Sequence, residues 1–465
     1  MDRQDPTTDS IANNSFVSGI FVVLCVMAVF AVLAYGAVDL LATGILSVGT
    51  FVVIVLWAAF AWRSGEFRYS AEKVQLTIVG LIIVGLIQLL PLGDANSYKE
   101  VLGIPSSAAI SLDPYATRIF VIRLLLLLVF LAAGLTFIDT TGRVKKLLIV
   151  LVTFGTVMGF FGILQKLADP GAIYGLRETP QAIPFGPYVN QHHFASLMVM
   201  LSAPVIGLLA AGSLKRDYTP LLLIAAAMMS IAVVFSGSRG GILSYAVMVG
   251  TILFVAGRHS AVQTSDADSD SVATKLRMRI IKFGGAIVLI LVVIGITIFL
   301  GAGESMIRGL GFGTESADVS SGRFHFWGVA VQIFLSHPII GAGLDAFGVA
   351  FTQFDTRNGL FRVEQAHNEY LQMLADGGIL GFACVAAFCF LFIKRGFAQI
   401  AAAKNRIDVG VRLGAFAGCV AVLVHSFFDF PLRTNANAYI FLLLVVIALT
   451  SAEFGETSGQ RRRTV

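Results

Sequence analysis

Apolar stretches long enough to cross a bilayer recur along nearly the whole chain, and that recurrence restricts the fold more than any single residue does. They fall at about 17–36, 45–62, 74–92, 117–137, 147–165, 194–212, 219–235, 240–256, 282–301, 377–393, 411–428 and 438–452, each close to the length that a hydrocarbon core of about 30 Å requires. Inside lipid every backbone N–H and C=O must be satisfied within the protein, and an α-helix does this locally. The chain is therefore expected to be an all-α integral membrane protein of about twelve transmembrane helices. Composition agrees: 57% of residues are hydrophobic and 13% charged, against roughly half and a quarter in soluble domains. No polar stretch is long enough to build a soluble domain, so residues 1–465 are expected to form one membrane domain with its bundle over 17–452. The first apolar run has neither a basic leader nor a small-residue cleavage site and reads as an anchor. Cys25, Cys384, Cys389 and Cys419 lie in apolar runs without a C-x-x-C spacing and read as packing residues.

Orientation follows from Lys and Arg, which concentrate in cytoplasmic loops. With the N-terminus inside, the inner loops hold Arg63, Arg68 and Lys73, then Arg143, Lys145 and Lys146, then Lys215 and Arg216. A fourth inner loop carries Arg258, Lys275, Arg277, Arg279 and Lys282, and a fifth Lys394, Arg395, Lys404, Arg406 and Arg412. Both termini are thus expected in the cytoplasm. The few cations left outside, among them Arg177, Arg239, Arg308, Arg323, Arg357, Arg362 and Arg433, need another reason to be there. One external loop dominates, at about 301–376 between the ninth and tenth spans. Its aromatic, helix-forming content points to short ordered helices and a functional role.

Within that loop Ser320-Ser321-Gly322-Arg323 precedes an apolar run that ends at His337-Pro338. Serine caps helices well, which puts Arg323 in a first helical turn. A cation there opposes the helix dipole. It is either an arginine snorkelling at the lipid interface or part of a diphosphate site, where free N–H groups and a guanidinium meet one anion. A second short helix is expected over 366–375 and carries His367 at its start. There the positive end of the dipole favours the neutral imidazole that a general base needs; a structural hydrogen-bonding histidine is the plainer alternative. Arg239 lies in the tight turn Ser236-Gly237-Ser238-Arg239-Gly240-Gly241 between spans seven and eight. That turn lacks the Gly-Lys-Ser/Thr ending of a phosphate loop, yet it sets another guanidinium at the external surface.

Three blocks in this order resemble the bacterial O-antigen ligase and polymerase family. They are the 236–241 turn; Ser321-Gly322-Arg323 with Trp327 and His337-Pro338-Ile339-Ile340-Gly341-Ala342-Gly343; and His367-Asn368-Glu369-Tyr370-Leu371 with Gly377, Gly378 and Gly381. The segments 185–194 and 425–433 are similar to bacterial members as well, so the resemblance spans about 180–440. It implies a periplasmic reaction that moves a glycan from undecaprenyl diphosphate to an acceptor hydroxyl. Carried over, Arg239 and Arg323 would bind the donor diphosphate and His367 would deprotonate the acceptor. Guanidinium groups can stabilise a departing diphosphate without a metal. Asp376 stands where many relatives have glutamate, and no function is attached to it.

Weaker candidates surround these. His192 and His193 read as adjacent imidazoles of an extended segment that point apart, without the carboxylates of a metal site. Arg118 and Arg123, in the outer half of span four, either help hold the donor phosphates or pair with another span. Asn368, beside the base, and His425 and Asp429, at the outer end of span eleven, are substrate-binding candidates, the last two equally readable as a structural hydrogen-bond network. No metal or other cofactor is expected, and no nucleic acid. The implied partners are an undecaprenyl diphosphate-linked glycan donor, a glycan or lipid A-core acceptor and membrane lipid, at the bacterial inner membrane. The ligase reading leads; a polymerase would use the same chemistry on another lipid-linked repeat. A protein-glycosylating relative commonly has an extra C-terminal region, which this chain does not show. A transporter or flippase would gather its polar groups near the bilayer midplane, whereas here they gather at one face.

Overall fold

The computed structural model describes residues 6–93, 108–168, 172–180, 182–212, 217–265, 322–357 and 363–452. Its helices are α1 (Pro6–Leu33), α2 (Leu40–Ser64), α3 (Val74–Gln88), α4 (Pro114–Phe137), α5 (Thr141–Ala168), α6 (Gln191–Ala211), α7 (Thr219–Phe235) and α8 (Arg239–Ser265). They continue as α9 (Arg323–Ser336), α10 (Phe347–Phe351), α11 (Glu369–Ala401), α12 (Arg406–His425), a 3-10 turn at Pro431–Arg433 and α13 (Asn435–Leu449). Among the described residues the strands are a two-stranded antiparallel ribbon, β1 (Ala172–Ile173) with β2 (Arg177–Glu178), in which Ala172 faces Glu178.

Among the described residues eight helices are long and apolar enough to cross a membrane: α1 from Asn14, α2, α4, α5, α6, α8 to Gly257, α11 and α12. The remaining expected spans differ. Helices α3, α7 and α13 are apolar but only 15, 17 and 15 residues long, and the stretch at 282–301 lies outside the described residues. At 1.5 Å per residue, fifteen residues reach about 22 Å, short of the hydrocarbon thickness. Helix α13 tolerates this because protein surrounds it: every residue from Asn435 to Leu449 is buried. Helix α3 stops where Gln88 leaves the apolar run. The buried Gln88 amide donates to the carbonyls of Ile340 at 2.7 Å and Asp376 at 2.8 Å and accepts the Leu344 N–H at 2.8 Å, so a polar group inside the bundle is fully used.

Helices α6 and α12 form the centre. Gly410, Gly414 and Gly418 recur every fourth residue on α12, the spacing that lets two membrane helices bring their backbones together. A Cβ on Gly414 would stand 2.5 Å from the Ala203 carbonyl oxygen of α6. The described part of the long loop has its own small core, in which Val329, Ala330 and Ile333 of α9 meet Phe347, Ala350 and Phe351 around α10, with Ala366 and Ala375. The expected helix over 366–375 and the span that opens at 377 are one element, α11, kinked at Gly378 (φ 60°, ψ −161°), a backbone region essentially reserved for glycine.

Ionic groups collect at the two ends of the bundle. At one end Arg68 and Arg143 share Asp139 at 2.6 and 2.7 Å, Arg395 pairs with Glu72, and buried Arg412 pairs with Asp408 at 2.5 Å. These belong to the arginine- and lysine-rich loops. The starts of α4, α6, α8, α11 and α13 and the end of α12 meet at the opposite end.

Candidate active site

Helix α11 begins at Glu369, capped by Asn368, whose side-chain oxygen accepts the N–H groups of Tyr370 and Leu371, each at 3.1 Å. Asn368 is therefore occupied as a cap. His367 precedes the helix instead of lying within it, and its φ of 51° is left-handed, a region histidine enters more readily than most residues. Its Nδ1 lies 3.1 Å from Asp429 Oδ1. The ring stands edge-on to Phe430 at 4.9 Å and stacks with Phe326 of α9 at 6.2 Å.

Asp429 is 1% exposed, and its Oδ1 also accepts the Phe430 N–H at 2.9 Å. Burial pushes its carboxyl up, but the His367 hydrogen bond and the fields of His193, His192 and His367 outweigh burial and hold it well below the usual carboxylate range. An ionised carboxylate can only accept, so His367 Nδ1 carries the proton, and in the neutral tautomer the lone pair is on Nε2. The His367 side chain is 30% exposed against 2% for that of Asp429, so the imidazole, not the carboxylate, is open to a reactant. This is the arrangement by which a buried carboxylate fixes the tautomer of an imidazole base.

Three more histidines close around the pair. His192 and His193 occupy the first turn of α6, not an extended segment, with Asn190 accepting the His192 N–H at 2.8 Å. His192 Nδ1 meets Ser238 Oγ at 2.9 Å, and His193 Nε2 lies 3.9 Å from Asp429 Oδ1. His425 ends α12, with Nδ1 2.6 Å from Ser196 Oγ. Its Nε2 is so near α8 that a Cβ on Gly240 would stand 2.7 Å away. Ser238 caps α8 by accepting the Gly241 N–H at 3.0 Å, which sets Arg239 in the first turn. Arg323 opens α9 behind Gly322; Ser321, the expected cap, lies outside the described residues. Asp429, Arg323, His367 and Arg239 all act electrostatically on His192, so the arginines and histidines of separate blocks share one neighbourhood.

The span-four arginines part company. Arg123 donates through Nη2 to the Leu432 carbonyl at 2.6 Å and packs over Phe120, whereas Arg118 is exposed on α4. Of the other external arginines, Arg177 pairs with Asp39 at 2.6 Å and covers the Tyr35 ring.

Sequence reasoning missed a buried cluster beside the pair. Arg433 Nη1 meets Asp345 at 2.5 Å, Nε meets Glu369 at 3.1 Å and Nη2 meets Asp376 at 3.0 Å. Burial works against the Arg433 charge, but Glu369, Asp376 and Asp345 outweigh it and hold the guanidinium above the usual arginine range. The available signal was local: an acid two residues after His367 and an arginine four residues after Asp429. Among the described residues no three His, Cys, Asp or Glu side chains converge as a metal site requires.

Residues 224–386 match the family model of the O-Antigen ligase. The match includes Arg239, Arg323, His367, Glu369 and Asp376 and ends before Asp429 and Arg433, which the fold brings against it. No curated protein matched the chain. Helices of membrane-crossing length together with that match make this a multi-pass membrane protein carrying an O-antigen ligase family domain at residues 224–386.

Proposed function

We propose that the protein transfers a glycan from undecaprenyl diphosphate to an acceptor sugar hydroxyl at the periplasmic face of the inner membrane, acting as an O-antigen ligase. The observation that carries the reading is the His367–Asp429 pair, 3.1 Å apart, in one neighbourhood with Arg239 and Arg323. His367 Nε2 takes the proton of the acceptor hydroxyl as its oxygen bonds to the anomeric carbon of the donor sugar. The bond from that carbon to the diphosphate oxygen breaks, and the electron pair leaves on the diphosphate. Arg239 and Arg323 stabilise that growing charge; fixed, desolvated cations are worth far more there than in water. Asp429 holds the tautomer and stabilises the imidazolium once formed.

The bundle end bearing the site is periplasmic in this reading, and both termini are cytoplasmic. The separation of a basic end from the histidine end supports that orientation. The test is turnover of a lipid-linked oligosaccharide by purified protein with and without lipid A-core. Product that requires lipid A-core supports the ligase; lengthened lipid-linked glycan without it assigns polymerisation instead.

A further inference from the structure

We infer that Arg433 is a positioning residue for the transfer, holding the base and its carboxylate in register through Glu369, Asp376 and Asp345. The inference rests on the reading of His367 as the base. His367 and Asp429 come from segments 62 residues apart, and one hydrogen bond joins their side chains directly. Neither lies in a regular helix: His367 sits in a bend ahead of α11, and Asp429 between α12 and the 3-10 turn. The hydrogen bond and the ring contacts with Phe430 and Phe326 still leave the imidazole side chain 30% exposed, whereas catalytic groups must be held within about 0.5 Å of the productive geometry.

The Glu369 N–H donates to the Ser426 carbonyl at 2.9 Å, and the Arg433–Glu369 ion pair adds a side-chain rung between the same two segments, two residues beyond His367 and four beyond Asp429. The other rungs extend the brace. Asp376 ties Arg433 to α11 just ahead of its kink. Asp345, itself at a left-handed φ of 65°, ties it to the connection that follows α9, the helix bearing Arg323. From behind, Arg123 pins the neighbouring Leu432 carbonyl at 2.6 Å, and Phe120 covers the Arg433 guanidinium at 5.5 Å. One guanidinium thus links the segments that bear the base, the carboxylate and a donor-binding arginine.

The composition of the cluster argues for position over stability. Three carboxylates surround Arg433, and Glu369 Oε1 and Asp376 Oδ1 are buried without a hydrogen-bond partner. Apolar side chains of the same volume would be no less stable, because desolvation of buried charges cancels much of their attraction. What an apolar replacement lacks is the directional fork, which fixes three separate segments at once.

The experiment is a double-mutant cycle on purified full-length protein in the lipid-linked oligosaccharide assay, using Glu369→Gln, Arg433→Lys and His367→Gln singly and in combination. Displacement of a catalytic group by about 1 Å costs as much as 10²-fold, so Glu369→Gln and Arg433→Lys should each lower kcat by about ten- to a hundredfold with donor KM within about threefold. On the His367→Gln background, where no base remains to be misplaced, the same changes should cost less than about twofold. Glu369→Gln preserves volume and guards against an Arg433 variant that does not fold. Equal losses on both backgrounds, or a full kcat in Glu369→Gln, would overturn the positioning role. Wild-type turnover in His367→Gln would instead sink the assignment of the base.

Discussion

Asp429→Asn isolates the contribution of the carboxylate with almost no change in shape. In the wild type, Asp429 Oδ1 accepts from His367 Nδ1 at 3.1 Å and from the Phe430 N–H at 2.9 Å. Losing a hydrogen bond to a charged group costs about 1.5–3 kcal/mol, which at 1.36 kcal/mol per decade is about ten- to a hundredfold in rate. A second effect adds to this. The amide presents both a donor and an acceptor, so its NH₂ can face Nδ1 and leave the imidazole proton on Nε2, the wrong tautomer for a base. Where a base is aligned by a buried aspartate, the corresponding change costs about 10⁴ in turnover. Asp429→Asn is therefore expected to lower kcat by about 10²–10⁴ while donor KM stays within about threefold, because Arg239 and Arg323, the proposed diphosphate ligands, are untouched. Initial rates of glycan transfer by purified, correctly inserted protein measure both quantities. An Asn variant with more than about a third of wild-type kcat would refute the claim that Asp429 sets the imidazole tautomer.

Other consequences are equally direct. With Cys25, Cys384, Cys389 and Cys419 replaced, a single cysteine at Thr352 should be labelled by an impermeant reagent from the periplasm and one at Glu66 only after the cytoplasmic side is opened; the reverse pattern inverts the topology. Transfer should survive exhaustive chelation, with Arg239→Ala and Arg323→Ala severely impaired and the Lys variants restoring part of the rate, since charge returns without the bidentate fork; complete loss in EDTA with recovery on adding Mg²⁺ rejects metal-free electrophilic catalysis. Because the Asp429 carboxyl is held below its ordinary value, its stabilising contribution is complete above the unfolded pKa of about 3.9 and is lost only as pH falls further. Any decline in turnover between about pH 7 and 5 thus has another origin and should persist in the residual activity of Asp429→Asn; a flat profile in that variant would assign the decline to Asp429. Gly378→Ala places a side chain at φ 60°, ψ −161° with its Cβ 2.5 Å from the Ile339 carbonyl, so it should destabilise by at least the strain of about 1–3 kcal/mol; an unchanged melting temperature contradicts the kink described for α11.

What could be read in the sequence was what depends on short-range pattern. Apolar runs of about 20 residues located the long helices, and a Gly-rich interruption located the turn ahead of Arg239. The short α3 and α13 were not legible as such, because their length is set by neighbours: the side chain of Gln88, the last residue of α3, donates to the carbonyls of Ile340 and Asp376, 252 and 288 residues away. His367 could be singled out from its expected place in the first turn of a helix, yet its position ahead of that helix, its left-handed backbone and its carboxylate partner all required the fold. Arg433 was visible as a basic residue in an external segment, but its three acids lie 88, 64 and 57 residues away along the chain. Periodicity carries no information on such separations. The histidines at the start of α6 are helical and not extended because Asn190 caps that helix.

The central claim is that His367 is the base of a glycan transfer from a lipid diphosphate, and turnover of a lipid-linked oligosaccharide by the purified wild type and His367→Gln tests it most directly. The wild type should transfer the glycan and the variant should lose about 10²–10⁴ in kcat, with donor affinity retained. Wild-type turnover in the variant, or no transfer by the intact protein to either lipid A-core or lipid-linked acceptor, would contradict it.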